Sequence, residues 1–321
     1  MDLFRLTLGT SAAQHTASFP APAKDHLALP CARVSAAPKE ETRLLVTDAQ
    51  IHVWEVDRPD RPWPQTPRNR PQREGGFSAA EAVAAMDGAG VARAVIVPPT
   101  WIGEDNSTAI EAVEAYPGRF AIMGRFDPDA PDAPGRLTRW KQQPGMLGIR
   151  LTFNARPTLS QLDDGSLEWF WSACEREQVP LMMLLRGQPE KVQPIAERHP
   201  DLTIILDHMA LDLDHEGSLR AWDSVGRLIE LAQHPRVFVK VSSVPNFSAE
   251  PYPHRDVHPS LRRLYDAYGA RRLFWGSDIT RLHGSYIDCR RLFTEGLDFL
   301  TSEDREWIMG RALSQTLGWA E

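Results

Sequence analysis

Eight short and almost entirely apolar segments recur along the chain, and their number constrains the fold more than any other feature. Such segments are expected of strands that are covered on both faces of a parallel sheet. They are residues 44–49, 93–98, 120–125, 147–152, 180–185, 202–207, 237–242 and 272–277. Stretches with helical periodicity separate them, so strands and helices alternate. Eight such units predict an α/β protein with a (β/α)8 TIM barrel.

The segments between the predicted strands carry signals for the start and end of helices. Ser78 and Glu81 form a capping-box pattern, and Gly88 and Gly90 lie where the following helix should end. Helical periodicity predicts further helices at residues 103–116, 166–178, 189–199, 218–233, 259–268 and 285–299. An extra C-terminal helix over about residues 301–318 is expected to pack outside the barrel.

Residues 1–42 differ in composition from the rest of the chain. They are rich in Ala, Pro, Ser and Thr and show no sustained helical or strand period, which predicts a flexible N-terminal extension. The barrel domain is then expected to span residues 43–321. Residues 52–77 are rich in Pro, Gly and Arg and predict a long loop after the first strand, of the kind that shapes a substrate pocket.

The amino-acid composition limits the binding partners and the cellular compartment that fit this chain. The chain of 321 residues has 36 Lys and Arg against 43 Asp and Glu, a net charge of -7, which argues against nucleic acid or an anionic membrane surface as a partner. A bilayer-spanning helix needs about 20 apolar residues, and charged residues or prolines interrupt every candidate run. Three widely spaced cysteines form neither a metal knuckle nor an even disulfide framework, which favours a cytoplasmic location. A homodimer is left open.

In a TIM barrel the functional side chains lie where the strands end at the C-terminal face. The predicted strand ends carry polar and ionisable residues, namely Asp48, Gln50, His52, Arg150, Arg186, Asp207, His208 and Asp278, and the seventh strand contains Lys240. The loop after the seventh strand adds His254 and Arg255. These residues predict a polar, charged pocket at one mouth of the barrel.

Four segments resemble, in this order, the amidohydrolase superfamily. They are TDAQIHVWE (47–55), LDHMA (206–210), FVKVSS (238–243) and LFWGSDITRL (273–282). The chain resembles the amidohydrolase-related branch, which includes 2-pyrone-4,6-dicarboxylate lactonase, 4-sulfomuconolactone hydrolase and several decarboxylases. The resemblance covers about residues 44–318 and implies a barrel enzyme, with hydrolysis as its leading chemistry.

The resemblance also implies a metal site that this sequence retains only in part. In that family the first strand ends in His-x-His, and both imidazoles join a His and an Asp around a divalent ion. Here Gln50 stands in place of the first His, which leaves His52, His208 and Asp278 as candidate ligands. An amide oxygen is a weaker ligand than imidazole for a borderline metal such as zinc. Two alternatives are therefore open, a Zn or Mn ion on these three residues or catalysis without a metal.

The candidate site residues fall into two groups. Asp278 is the candidate general base, and we expect burial to raise its pKa toward neutrality. His52 and His208 are expected to polarise the substrate carbonyl, either directly or through a metal. The candidate substrate contacts are Arg150, Arg186, Lys240, Gln50, His254 and Arg255. The cations among them are suited to a carboxylate or sulfonate, which predicts a small anionic organic substrate.

These residues support three hypotheses about function. The first is a hydrolase that opens a carboxylated lactone, or a similar activated cyclic ester or amide, with water activated by Asp278. The alternative is a metal-dependent, non-oxidative decarboxylase of an aromatic or vinylogous carboxylic acid. The third is a barrel that binds a ligand without converting it. The sequence contains no Gly-rich phosphate loop and no GxSxG or HExxH motif.

Overall fold

A computed structural model describes residues 44–63, 71–153 and 158–320, and its centre is a sheet of eight strands. The strands are β1 (Thr47–Ile51), β2 (Arg93–Ile96), β3 (Phe120–Arg125), β4 (Met146–Phe153), β5 (Leu181–Leu185), β6 (Ile204–Leu206), β7 (Val237–Ser242) and β8 (Leu273–Gly276). Each strand pairs in parallel with the next one along the chain. The predicted TIM barrel is thereby confirmed.

The sheet closes where β8 lies beside β1. The backbone N–H of Asp278 donates to the carbonyl of Gln50 at 2.8 Å. The backbone N–H of Ser277 donates to Asp48 Oδ1 at 2.9 Å, and the Ser277 hydroxyl donates to Asp48 Oδ2 at 2.5 Å. A buried carboxylate of the first strand thus joins the two ends of the sheet.

The strands form where the sequence is apolar without interruption. All five residues of β5, with the sequence LMMLL, are buried, as expected for a strand between the barrel interior and the helix layer. Close approach of neighbouring strands also selects for glycine. A Cβ on Gly148 would lie 2.4 Å from the carbonyl oxygen of Pro180, a distance that no other residue could accept.

Ten α-helices surround the strands in the described part of the chain. They are α1 (Ala79–Ala89), α2 (Ser107–Ala115), α3 (Ala133–Leu137), α4 (Glu168–Arg176), α5 (Gln193–Arg198), α6 (Val225–Glu230), α7 (His258–Tyr268), α8 (Tyr286–Arg291), α9 (Ser302–Glu306) and α10 (Ala312–Leu317). The capping box of Ser78 and Glu81 is present, and Gly90 ends α1 in the left-handed region with φ 68°. The sequence did not predict the short helix α3.

Four predicted helices differ from those in the structure. Those expected over residues 189–199 and 218–233 are α-helical only in α5 and α6, with 3-10 turns beside them. The helix expected from residue 103 begins only at Ser107, because the side chain of Asn106 accepts from the backbone N–H of Arg125 at 2.7 Å and donates to its carbonyl at 2.9 Å. These bonds tie the turn before α2 to the end of β3. The helix expected over residues 285–299 consists of α8 and a π-helical turn that ends at Gly296.

The predicted C-terminal helix is present as α9, a π-helical turn over Trp307–Arg311, and α10. Thr301 caps its start and Gly318 ends it. The predicted extension, residues 1–42, lies outside the described residues. Among the described helices none is long and apolar enough to cross a membrane.

Candidate active site

Three side chains from three different strands converge at the C-terminal mouth of the barrel. His52 follows β1, His208 follows β6 and Asp278 follows β8. His52 Nε2 lies 3.2 Å from Asp278 Oδ1, and His208 Nε2 lies 3.7 Å from Asp278 Oδ2. All three residues are at most 5% exposed. The structure therefore brings together the three candidate catalytic residues, which are separated by more than 200 positions in the sequence.

The backbone at two of these residues has an unusual conformation. His208 has φ 50° and Asp278 has φ 53°, and the two residues after His208 also have positive φ. This left-handed region is uncommon for residues other than glycine, and such conformations cluster at functional sites where the surroundings hold them. The turns after β6 and β8 are thus shaped to direct these two side chains into the mouth.

Contacts on the far side of each imidazole orient the two histidines. His52 Nδ1 lies 2.5 Å from the carbonyl oxygen of Val97. His208 Nδ1 lies 2.9 Å from the hydroxyl oxygen of Ser242 and 3.3 Å from that of Ser243. These bonds leave the Nε2 atoms of both rings facing Asp278. Such anchoring of one ring nitrogen fixes the direction of the other.

The charges in this mouth shift the pKa values of two of its groups. Burial raises the pKa of Asp278, but the charge and hydrogen bond of His52, followed by the charges of His208 and Arg281, lower it well below its usual value. The expectation of a raised pKa at Asp278 was therefore wrong, because the neighbouring imidazoles outweigh burial. Burial lowers the pKa of His208 to about 4, so this imidazole is neutral at pH 7.

A buried ion-pair network lies below the mouth. Asp207 is fully buried, and its carboxylate lies 2.7 Å from Lys240 Nζ and 3.2 Å from Arg150 Nε. Burial raises the pKa of Asp207, but the charges of Lys240, Arg150 and His208 lower it below its usual value. Burial lowers the pKa of Lys240, and Asp207 opposes this shift. Two predicted substrate cations thus have a carboxylate partner inside the protein.

Gln50 lies between this network and the three candidate catalytic residues. It is fully buried, and its Oε1 accepts a hydrogen bond from Lys240 Nζ. Its amide nitrogen Nε2 lies 3.3 Å from His52 Nε2. The oxygen of Gln50 is therefore directed away from the three candidate catalytic residues.

The three residues line a cavity of about 210 Å³, a volume suited to a small ring. It is lined by His52, Gln72, Pro99, Thr100, Arg150, Leu184, Arg186, His208, Leu213, Asp214, Glu216, Ser243, Asn246, Phe247, Asp278 and Arg281. Arg186 Nη1 lies 2.8 Å from Asp214 Oδ1, and both residues line the cavity.

Four predicted substrate contacts do not line this cavity. Lys240 and Gln50 are fully buried behind it. His254 is 8% exposed, and its Nδ1 lies 2.8 Å from the carbonyl oxygen of Glu250, whereas Arg255 is exposed outside the cavity. A role in substrate contact stays a prediction for these four residues, and their positions outside the cavity do not support it.

Sequence reasoning missed several lining residues that lie in loops. Arg281 is one of them, and it lies three positions after Asp278 within the motif LFWGSDITRL, which was the signal that could have found it. It is exposed, and no carboxylate of the described residues lies within ion-pair distance of it. Gln72 lies in the loop over residues 52–77 that was predicted to shape the pocket, whereas Asn246 carried no such signal.

The donor atoms in the mouth do not fit a metal ion well. The described residues contain no group of three or more His, Cys, Asp or Glu side chains arranged to hold an ion. Gln50 presents its amide nitrogen to His52, and an amide nitrogen that carries two hydrogens offers no lone pair. Gln50 therefore leaves the ligand set implied by the family resemblance one imidazole short, with His52, His208 and Asp278 as the candidates that remain.

Comparison with known proteins identifies relatives of the chain. A profile of the amidohydrolase family matches residues 47–312. L-fucono-1,5-lactonase from Burkholderia ambifaria is 30% identical over 248 residues, which are 75% of this chain and 83% of that protein. The 4-sulfomuconolactone hydrolase from Hydrogenophaga intermedia is 28% identical over 236 residues, which are 70% of this chain and 74% of that protein. The resemblance derived from the four motifs is confirmed.

Solved structures share the fold. An amidohydrolase from Burkholderia multivorans with bound zinc has a TM-score of 0.71 at 20% identity, over 85% of this chain and 99% of that chain. At this identity the likeness shows the barrel fold. The zinc bound in that protein carries no conclusion about a metal in this chain.

Proposed function

Since this chain belongs to the amidohydrolase family, we propose that it opens a lactone ring by hydrolysis. Two of its curated relatives are named as lactone hydrolases, and one of them is 30% identical to this chain. The observation that carries the proposal is the convergence of His52, His208 and Asp278 on one cavity of about 210 Å³.

Asp278 is the proposed proton acceptor. Its low pKa keeps it a carboxylate at neutral pH, and its Oδ1 lies 3.2 Å from His52 Nε2. A water molecule beside this oxygen would lose a proton to it as the water oxygen bonds to the lactone carbonyl carbon. The proton then passes to the ring oxygen when the carbon–oxygen bond of the ring breaks. Water is consumed, and a hydroxy acid is the product.

His208 is the proposed donor to the carbonyl oxygen. Its pKa of about 4 makes the ring neutral, and the hydroxyl group of Ser242, 2.9 Å away, can donate to Nδ1. The proton of the neutral ring then resides on Nε2, which faces the cavity. A preorganised N–H in a partly dry site stabilises the oxyanion that develops during attack.

A carboxylated lactone is the proposed substrate class. Arg281 and Arg186 both line the cavity, and Arg281 has no carboxylate partner among the described residues. A guanidinium group in this position is suited to a carboxylate on the substrate ring. The curated relatives include a hydrolase named for a sulfonated lactone and one named for a sugar lactone, so both kinds belong in the test.

A panel of lactones tests the proposal. Carboxylated, sulfonated and sugar lactones are supplied to the purified protein, and ring opening is followed by the acid released. We expect Asp278→Asn to lower kcat at least about 100-fold, the usual range for loss of a general base. Asp298→Asn, an exposed carboxylate away from the cavity, is the matched control and should retain activity. Full activity in Asp278→Asn would exclude the mechanism.

The same panel separates the decarboxylase alternative. Aromatic carboxylic acids are added, and CO₂ release is measured. We expect none, because Gln50 supplies no imidazole to the metal site that such a decarboxylation needs. Release of CO₂ without ring opening of any lactone would support the alternative.

We also propose a cytoplasmic location. Cys174 and Cys289 are buried free thiols, as is usual in a reducing compartment.

A further inference from the structure

Gln72 lines the cavity at the barrel mouth and carries a buried oxygen that the described part of the protein leaves unpaired. Its Oε1 atom accepts no hydrogen bond from any described residue. Such an oxygen loses its contact with water on folding and gains no bond in return, which is unfavourable unless a ligand supplies the donor. The position of this oxygen in the cavity wall therefore points to a ligand.

Asn246, the other side-chain amide in the cavity wall, is bound within the protein. Its Nδ2 donates to the carbonyl of Arg281 at 3.0 Å, and its Oδ1 accepts from the backbone N–H of His283 at 2.7 Å. Both ends of this amide thus hold the loops around the mouth together. Gln72 differs from it, because the buried oxygen of Gln72 is left for a group that enters the cavity.

The loop segment that carries Gln72 is anchored to the end of the first strand. The indole N–H of Trp54 donates to the carbonyl of Gly75 at 2.9 Å. Trp54 and Phe77 also exchange two backbone hydrogen bonds, of 3.0 Å and 2.8 Å. Trp54 lies two positions after His52, so these bonds tie the segment to the strand end that bears a candidate catalytic residue. Gln72 is therefore held as a fixed part of the cavity wall.

The ligand group that fits this oxygen is a hydroxyl. An amide oxygen only accepts hydrogen bonds. The oxygens of a lactone ring and of an ionised carboxylate are acceptors as well, so neither part of the proposed substrate can pair with Gln72. A hydroxyl group on the ring is a neutral donor and supplies the missing bond.

Arg186 gives the cavity a second buried polar atom without a partner, and this one is a donor. Its Nη1 lies 2.8 Å from Asp214 Oδ1, whereas its Nε has no hydrogen-bond partner among the described residues. Arg186 follows β5 and Gln72 belongs to the loop after β1, and these two strands lie on opposite sides of the barrel. The cavity is thus built for a ligand with a hydrogen-bond donor on one side and an acceptor on the other.

We infer that Gln72 selects a lactone with a hydroxyl group on its ring, by accepting a hydrogen bond from that hydroxyl. The inference deepens the proposed hydrolysis and rests on it for the identity of the ring as a lactone. Its test measures binding in a variant that lacks the proposed proton acceptor. It can therefore fail while lactone hydrolysis is found, or succeed while hydrolysis is not.

Two kinds of ligand that differ only in their ring hydroxyl groups test the inference. The first is the set of γ-lactones of the trihydroxyglutarate stereoisomers, which carry a carboxylate and two ring hydroxyl groups. The second is the γ-lactone of α-hydroxyglutarate, the same carboxylated ring without ring hydroxyl groups. Isothermal titration calorimetry measures Kd in Asp278→Asn protein. We expect at least one hydroxylated stereoisomer to bind at least about 5-fold more tightly, because the other ligand leaves the oxygen of Gln72 unpaired.

Substitutions of Gln72, made in the same Asp278→Asn protein, locate this preference. Gln72→Leu keeps a similar volume but has no acceptor, so the hydroxylated lactone should bind no more tightly than the other ligand. Gln72→Glu keeps an acceptor, so the preference should persist although the added charge weakens binding of both carboxylates. Gln233→Leu, at an exposed glutamine before β7 and outside the cavity, is the matched control and should leave the preference unchanged.

Three results would overturn the inference. They are equal affinity for the two kinds of ligand, no measurable binding of either kind, and a preference that persists in Gln72→Leu, which would assign it to another residue. Circular dichroism of each variant establishes folding. Hydrolysis is followed separately in protein with Asp278 intact, so the loss of this inference would leave the proposed lactone hydrolysis standing.

Discussion

Asp207 is the residue on which the charge balance below the cavity depends. It lies 2.7 Å from Lys240 Nζ and 3.2 Å from Arg150 Nε, and neither Asp207 nor Lys240 has any exposed surface. Desolvation makes such a network costly to form, but removal of one member costs more, since the remaining charges cannot regain their water. Arg150 and Lys240 are thus held in fixed positions around the mouth.

We expect Asp207→Asn to destabilise the protein strongly. The substitution keeps the shape of the side chain but leaves the charges of Lys240 and Arg150 without a buried carboxylate, and breaking such a pair costs about 3–5 kcal/mol. The free energy of unfolding in urea measures the effect, with the exposed Asp298→Asn as control. A loss below about 1 kcal/mol would mean that water or another group compensates the two cations.

Arg281 is the residue that should distinguish charged from neutral substrates. A charge-assisted hydrogen bond contributes about 1.5–3 kcal/mol, so Arg281→Gln should raise KM for a carboxylated lactone by roughly 10-fold or more. The kcat value should change little, because Arg281 would bind the substrate without contacting the reacting bond. An uncharged lactone of the same ring size is the control, and equal effects on both substrates would exclude a carboxylate contact.

At the level of structural elements, the seam between β1 and β8 depends on Asp48. Its carboxylate accepts from the backbone N–H groups of Gln50 and Ser277 and from the hydroxyl groups of Ser277 and Tyr286. Burial nevertheless outweighs these bonds and raises the pKa of Asp48 to about 6. The seam thus holds a group whose charged form is less favourable in the folded protein than in the unfolded chain.

This shift predicts a pH dependence of stability. Because the folded-state pKa is raised from 3.8 to about 6, the folded protein binds the proton of Asp48 more tightly than the unfolded chain does. Its contribution to stability is present below about pH 4 and is lost as the pH rises through about 6, by about 3 kcal/mol. In Asp48→Asn this loss is absent.

The free energy of unfolding of Asp48→Asn minus that of the wild type should therefore rise by about 2.5 kcal/mol between pH 4 and pH 7, since part of the full effect already falls below pH 4. Urea unfolding at several pH values measures this difference, in which the titration of His208 and other shared groups cancels. A difference that does not vary with pH would show that Asp48 does not titrate in this range.

The elements were predictable to different degrees for physical reasons. Eight buried parallel strands leave a strong signal, since each must be apolar on both faces, and the capping box at Ser78 marks the start of α1. The start of α2 was misplaced because Asn106 bonds to the distant backbone of Arg125, a tertiary contact without a local signal. The short helix α3 offers too few residues for a period to be read.

At the scale of the whole molecule, the barrel topology makes the candidate site predictable. Parallel strands place all their C-terminal ends at one mouth, so His52, His208 and Asp278 could be expected to meet. The sequence could not predict which cationic side chains face the substrate, because this depends on ion pairs between different strands inside the barrel. The sequence predicts Arg150 and Lys240 as substrate contacts. In the structure both form ion pairs with Asp207, which directly follows β6.

Convergence of distant strands predicts that the proposed catalytic residues act as one unit. If His208 stabilises the oxyanion while Asp278 takes the proton, each is effective only with the other in place. We expect His208→Asn and Asp278→Asn each to lower kcat/KM at least about 100-fold. The double variant should have a kcat/KM no more than about 10-fold below that of the less active single variant. Independent residues would instead lower kcat/KM by the product of the two single losses.

A second pair of substitutions shows whether this non-additivity is specific. Arg281→Gln acts on binding of the substrate carboxylate, so its loss should multiply with that of Asp278→Asn when a carboxylated lactone is used. Both pairs are measured by ring opening with the same substrate. If the losses of His208→Asn and Asp278→Asn also multiplied, the two side chains would not serve a single transition state, although their atoms lie 3.7 Å apart. Their proximity would then reflect the geometry of the barrel mouth alone.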